Sequence, residues 1–186
     1  MHTLAFKIAL HGVSPMIWRR LCVDADTSLA ELDQIIQIAM DWDQAHYSFH
    51  IYGRDLGLAS EGNICGCDDP DEVMLCDFDF DVGDKFSYTC NFTECWLCDI
   101  RIEAIDNDAQ DSPPPRCLSG NGKIGAERYD KADEWRAAIR VLDEAVSDSD
   151  TITMVDIRRL LKDYEAMSFN RRKINVRLQA HCRDQG

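Results

Sequence analysis

Val13-Ser14-Pro15-Met16-Ile17-Trp18-Arg19-Arg20 leads, through a capped helical segment, into Asp41-Trp42-Asp43-Gln44-Ala45-His46-Tyr47-Ser48-Phe49. Upstream of it, Leu4, Phe6, Ile8 and Leu10 alternate with Thr3, Lys7 and small residues, the period of a half-buried strand. Residues 12–15 make a turn, and residues 16–23 read as a second strand with bulky Ile17, Trp18, Leu21 and Val23. The two are expected to form a hairpin. Between the hairpin and Asp41, Ser28 and Glu31 have capping-box spacing, so each can satisfy an orphan amide of a helix's first turn. Leu29, Leu32, Ile35, Ile36, Ala39 and Met40 share one helical face, with Asp33, Gln34 and Gln37 opposite. The helix should end near Asp41, and residues 46–52 resume strand character.

Further on the signal is patchier. Residues 53–57 read as a turn, 58–70 as a Cys-bearing loop, 73–76 as a short strand, and 77–84 as an extended or turn segment with half-buried Phe78 and Phe80. Residues 85–90 and 96–105 look like paired strands. Residues 106–125 hold Ser112-Pro113-Pro114-Pro115 and three glycines, and read as a loop. Helical spacing recurs over 131–146, over 154–164, and in a short basic stretch over 171–181. Hairpin strands followed by segregated helices predict an α+β fold, with an N-terminal β-hairpin and a mixed or antiparallel sheet packed against a few helices. One domain over 1–186 is expected, residues 1–125 mainly sheet plus one helix and 126–186 a helical C-terminal part.

The chain has 186 residues and a formal net charge of -14. Acids crowd its middle (Asp68, Asp69, Asp71, Glu72, Asp77, Asp79, Asp81, Asp84, Glu94), and bases gather from Arg158 to Arg183. Overall acidity opposes non-specific binding of a phosphate backbone and leaves nucleic acid only the Arg158–Arg183 region. No apolar run approaches the roughly 20 residues that span a membrane, and the first residues lack signal-peptide character. A soluble, cytoplasmic protein is expected. Its nine cysteines are an odd number, so they cannot all pair internally, and free thiols are expected, with or without a metal.

The hairpin with Pro15-Met16-Ile17-Trp18-Arg19-Arg20, the helix opening Thr27-Ser28-Leu29-Ala30-Glu31-Leu32 and the Asp41 to Phe49 stretch together resemble the plasmid pRiA4b ORF-3-like family. The family pattern Tyr-x-Tyr-Asp-Phe-Gly-Asp-x-Trp-x-His-x-Ile stands here over residues 88–100. Tyr88, Phe92, Trp96 and Ile100 match it, Glu94 keeps a carboxylate, and Asn91, Thr93 and Cys98 replace the family's Asp, Gly and His. Pro115-Arg116-Cys117-Leu118-Ser119-Gly120 is similar to the next block, and Ile174-Asn175-Val176-Arg177-Leu178 to the closing Val-Asn-x-x-Leu element. The Pro-Pro-Glu-Asp segment that usually follows the Gly is absent. The resemblance implies a divergent member with an α+β fold. It also implies a setting on plasmids and other mobile elements, a resolvase-like label carried by some members, and no characterised activity.

Several constellations could carry chemistry. Cys65-Gly66-Cys67 and Cys95-Trp96-Leu97-Cys98 together offer four thiolates for a structural zinc, held at about 2.3 Å each. Against this, residues 96–100 read as strand, where residues three apart face opposite sides, and buried thiols are ordinary core filler. A redox role for Cys95 and Cys98 needs a helix N-terminus that the pattern does not supply. His46 and His50 fall on one face of their strand, and either could serve as acid, base or metal ligand with Glu94 or Cys98. Arg19 beside Trp18 can clamp an anion while stacking, or can be a plain strand residue paired to an acid. The flanks of Ser14 do not resemble a recombinase nucleophile's, and no P-loop, nucleophile elbow, zincin or EF-hand loop is present.

The leading expectation is a non-enzymatic binding or adaptor domain. It would hold a protein or small ligand near Trp18, Arg19, His46, Glu94 and Trp96. The alternatives are a zinc protein or enzyme using a groove near His46 and Trp96, and a nucleic-acid binder acting through its basic end.

Overall fold

The computed structural model describes residues 2–13, 16–43, 45–58, 64–65, 68–90, 96–106, 113–122 and 169–184. β1 (Thr3–Leu10) and β2 (Trp18–Asp24) form the expected hairpin, with Ile8 opposite Arg19 and Ala9 opposite Trp18. After α1 (Leu29–Met40) come β3 (Tyr47–Ile51), β4 (Arg54–Leu58) and β5 (Ile64–Cys65). Then follow β6 (Lys85–Cys90), β7 (Trp96–Asp106), β8 (Arg116–Asn121) and α2 (Arg171–Asp184). The eight strands make one sheet in the order β5-β4-β3-β6-β7-β1-β2-β8, and every pair is antiparallel. The fold is therefore the expected α+β class, dominated by sheet.

Strand alternation sorts the two faces. Leu4, Phe6, Ile8 and Leu10 of β1 point the same way as Leu21 and Val23 of β2, Phe49 and Ile51 of β3, Phe86 and Tyr88 of β6, and Cys98, Ile100 and Ile102 of β7. They form one buried cluster with Leu29, Leu32, Ile35, Ile36, Ala39 and Met40 of α1. Ser28 caps α1 as its spacing predicts, its hydroxyl accepting from the Glu31 N–H at 3.1 Å. Asp41 ends the helix in the left-handed conformation.

Several expectations are corrected. The turn after β3 is only Tyr52 and Gly53, both at positive φ, so a tight hairpin leads straight into β4. Gly57 is a strand residue, not a turn residue. A Cβ there would lie 2.3 Å from the Tyr47 carbonyl oxygen, so its bareness lets β4 close on β3. Residues 73–76 are not a strand: Leu75–Phe78 forms a 3-10 turn, capped where the Asp77 carboxylate accepts from the Met74 N–H at 2.8 Å. Residues 106–125 are not all loop, because β8 lies within them. Its glycine suggested a turn but answers a close approach: a Cβ on Gly120 would meet the Phe169 ring and the Trp18 carbonyl oxygen at 2.8 Å, and Arg19 Cδ at 2.9 Å. Asp33 and Gln37 do not face solvent but are 7% and 8% exposed. The basic stretch predicted over 171–181 is α2, and the helices expected over 131–146 and 154–164 lie outside the described residues.

α2 seals the β8 edge. Ile174 and Leu178 are its buried residues. Asn175 lies alongside Cys117, its Oδ1 accepting from the Cys117 N–H at 2.7 Å and its Nδ2 donating to the Cys117 carbonyl at 3.0 Å. This joins the two later sequence blocks of the family resemblance.

Gly120→Ala is expected to destabilise the protein by about 1–3 kcal/mol through overpacking, read as a lower urea midpoint at unchanged slope. An unaltered midpoint would mean that the Phe169 and Arg19 side chains yield freely.

Candidate functional site

Among the described residues proposed from sequence, Trp18, Arg19 and Trp96 do not share one groove. Trp18 and Trp96 lie on opposite faces of the sheet: Trp18 is level with Ala9, whereas Trp96 shares the buried face of Cys98, which lies opposite Leu10. Arg19 is 1% exposed. Its Nε donates to the Ala39 carbonyl at 2.9 Å, and its Nη1 to the Trp18 and Asn121 carbonyls at 2.8 Å. The guanidinium carbon lies 5.0 Å from the Phe169 ring centroid. Burial lowers its pKa to about 10, so it remains a cation at neutral pH. Arg19 is thus a tie between elements, and Arg20 is the arginine that pairs with an acid, Glu103.

His46 is half-buried, just ahead of β3, and His50 is exposed with its Nδ1 2.8 Å from Asp55. Glu94 and Cys95 lie outside the described residues, as do Cys67 and the side chain of Cys65. Cys98 is fully buried in the sheet core, where burial raises its thiol pKa well above the ordinary value. Among the described residues, no three His, Cys, Asp or Glu side chains gather as metal ligands.

A different site is built on the exposed shoulder of α1. Asp33 and Gln37, one helical turn apart, reach down to the hydroxyl of Tyr88 on β6. Tyr88 donates to Asp33 Oδ1 at 2.6 Å, and Gln37 Nε2 lies 3.2 Å from the same oxygen and 2.9 Å from the Tyr88 hydroxyl. Burial raises the Asp33 carboxyl pKa to about 6, against the lowering effect of the bonds from Tyr88 and Gln37. Burial first, then the nearby Cys90 and Asp33, drives the Tyr88 phenol well above its usual range, so it stays a donor.

These residues wall an open pocket of about 1010 Å³ between α1, the β3–β4 hairpin and the end of α2. Trp42, Asp43, Asp71 and His181 also line it. Trp42 is 5% exposed and its ring lies tilted against Trp96 at 5.9 Å between centroids, so Trp96 backs the wall rather than forming it. Among the described residues, the buried Trp42 indole N–H has no acceptor and the Nε2 of His181 has no partner. An orphaned buried donor costs about 1–3 kcal/mol until something accepts from it.

The sequence reading missed Asp33, Gln37, Tyr88 and Trp42 as site residues. The available signal was the four-residue spacing of two polar side chains beside an apolar stripe, but nothing there marks a tyrosine 51 residues on as their partner.

Among the described residues, an antiparallel sheet with one face packed on α1, and a pocket walled by a buried carboxyl, an indole and two further acids, define an α+β protein with a polar cleft. A profile of the plasmid pRiA4b ORF-3-like protein family matches residues 2–173, and the chain belongs to that family. It is 33% identical over 99 residues to the uncharacterized protein y4hQ of Sinorhizobium fredii, covering 52% of this chain and 51% of that protein. The chain thus matches about half the length of that curated relative. Its fold is similar to that of the crystal structure of a protein of unknown function from Methanosarcina mazei Go1. The TM-score is 0.65 at 25% identity, over 77% of this chain and 82% of that one.

Asp33 makes stability depend on pH in an unusual direction. Its folded pKa of about 6 lies above the ordinary carboxyl value of 3.8, so the folded state holds the proton more tightly. The contribution is fully present below about pH 4 and is lost as pH rises through about 6. Asp33→Asn keeps the acceptor oxygen without the charge. It is expected to exceed the wild type in stability at pH 7 by up to roughly 3 kcal/mol, with the gap closing towards pH 4 in parallel urea titrations. A gap independent of pH would show that Asp33 titrates normally.

Proposed function

We propose that this protein is a non-enzymatic binding or adaptor domain, and that the pocket beside α1 holds a cationic group of its ligand. The observation that carries the reading is the acidic lining of that pocket. Asp33, Asp43 and Asp71 line the same pocket, and no Lys or Arg does among the described residues. An ammonium or guanidinium would answer the carboxylates. The hydrophobic sides of Ile38 and Leu58 suit the alkyl stem that joins such groups. A basic peptide segment of a partner carries both features. In this reading the protein works in the cytoplasm, where thiols such as Cys22, Cys76 and Cys182 remain reduced.

A second reading gives Asp33 a proton-transfer role, favoured by a carboxyl held near neutrality in a cleft. Zinc chemistry at His46 has no support among the described side chains. The described part of the basic end is partly engaged within the molecule: Arg171 donates to the Leu118 carbonyl and Arg177 pairs with Asp41.

The test uses arginine amide and, as its neutral counterpart, citrulline amide. Titrating the ¹⁵N-labelled full chain with arginine amide is expected to move the Trp42 indole N–H resonance. Calorimetry should show binding that weakens as pH falls through about 6, because protonated Asp33 no longer attracts a cation. Asp43→Asn should weaken it about tenfold. Equal binding of both amides, or an unmoved Trp42 resonance, would sink the proposal.

A further inference from the structure

The other face of the sheet carries a feature that the pocket does not explain. Lys85 lies opposite Arg101, Arg101 opposite Lys7, Lys7 opposite Arg20, and Arg20 opposite Ser119. Cross-strand partners share a face, so four cations stand in single file across β6, β7, β1 and β2. At about 4.8 Å per strand the file is roughly 14 Å long. Like charges placed directly opposite each other repel, and this row stands in a chain of net charge -14 with many acids to spare.

Among the described residues, one of the four is in a contact ion pair with a carboxylate. Arg20 donates to both Glu103 oxygens, and its guanidinium carbon lies 5.3 Å from the Trp18 ring centroid. Lys7 holds its ammonium 5.0 Å from the same ring, so Trp18 fixes two of the cations in place. Among the described residues, Lys7, Lys85 and Arg101 form no salt bridge, although the Glu103 carboxylate also feels the charges of Lys7 and Arg101, and Lys85 and Arg101 are exposed. These residues, with Asp99, Glu103 and Ser87, line an open groove of about 1110 Å³. Asp99 is 65% exposed and pairs with His11.

We infer that this face docks an extended acidic peptide segment of a partner, laid across the strands with its carboxylates on Lys85, Arg101 and Lys7. An extended peptide presents a side chain to one face about every 6.8 Å, which gives three carboxylates over the length of the row. Glu103 and Asp99 flank the file on β7, two residues to either side of Arg101. They restrict the favourable potential to one narrow track and offer acceptors to the peptide's own N–H groups. A single-stranded nucleic acid fits less well. Its bases need free aromatic platforms, whereas Trp18 already lies against two cations, and the net negative charge repels a long polyanion. This site is independent of the α1 pocket, so either can fail without the other.

The experiment uses the full chain with a fluorescein-labelled, N-acetylated peptide carrying glutamate at every second position, and labelled decathymidylate as competitor. Salt-sensitive peptide binding is expected, with amide shifts confined to β6, β7, β1 and β2. Arg101→Gln and Lys85→Gln change exposed side chains and should each weaken the peptide about tenfold. Neither should alter the melting temperature, nor the response of Trp42 to arginine amide. No peptide binding, shifts that map elsewhere, affinity unchanged in both variants, or tighter binding of decathymidylate would each overturn the inference.

Discussion

The buried guanidinium of Arg19 is the tie on which the arrangement of elements depends. Taking an isolated cation out of water costs several kcal/mol, and three carbonyls from three elements answer that cost here. One of them, Ala39, belongs to the last turn of α1, where unpaired carbonyls carry the negative end of the helix dipole. α1 has no basic residue of its own in that turn, and the sheet supplies one. Because Asn121 on β8 accepts from the same guanidinium, the helix end and the edge strand are fixed to one point. Phe169 then covers it, and Gly120 stays bare to let the ring in.

That anchoring positions the pocket. Asp41 ends α1 and pairs with Arg177 of α2, and Trp42 follows directly, turned inward against Trp96. The polar contacts of Asp33 and Gln37 to Tyr88 fix the other end of the same wall. A hydrophobic residue at position 33 would pack against the core at no electrostatic cost, so the buried carboxyl makes the fold less stable at neutral pH than it need be. Such a group is retained where a charge is used.

Much of the fold was legible from short-range signals. The β1–β2 alternation, the Ser28 cap and the pairing of β6 with β7 follow from spacing alone. What failed did so for one physical reason: glycine and polar residues serve long-range contacts that local pattern cannot show. Gly57 and Gly120 resemble turn residues, yet each is a place where backbone or a ring approaches closely. Asp33 and Gln37 resemble a solvent face until Tyr88 appears beneath them. Trp18 and Arg19 were read as one site, but neighbours on a strand point to opposite faces, and here one is a tie in the core while the other props cations on the open side. Trp96, read as a groove residue, lies behind Trp42.

The clasp of Asn175 on Cys117 has a consequence for how the chain is made. β8 is the outer strand of the sheet, and an outer strand with free N–H and C=O groups invites pairing with another chain. The amide that occupies those groups comes 58 residues later. At about 5–20 residues per second of synthesis, the edge waits roughly 3–12 seconds for its guard. Until then the N–H and carbonyl of Cys117 lack the partner that Asn175 gives them in the finished chain.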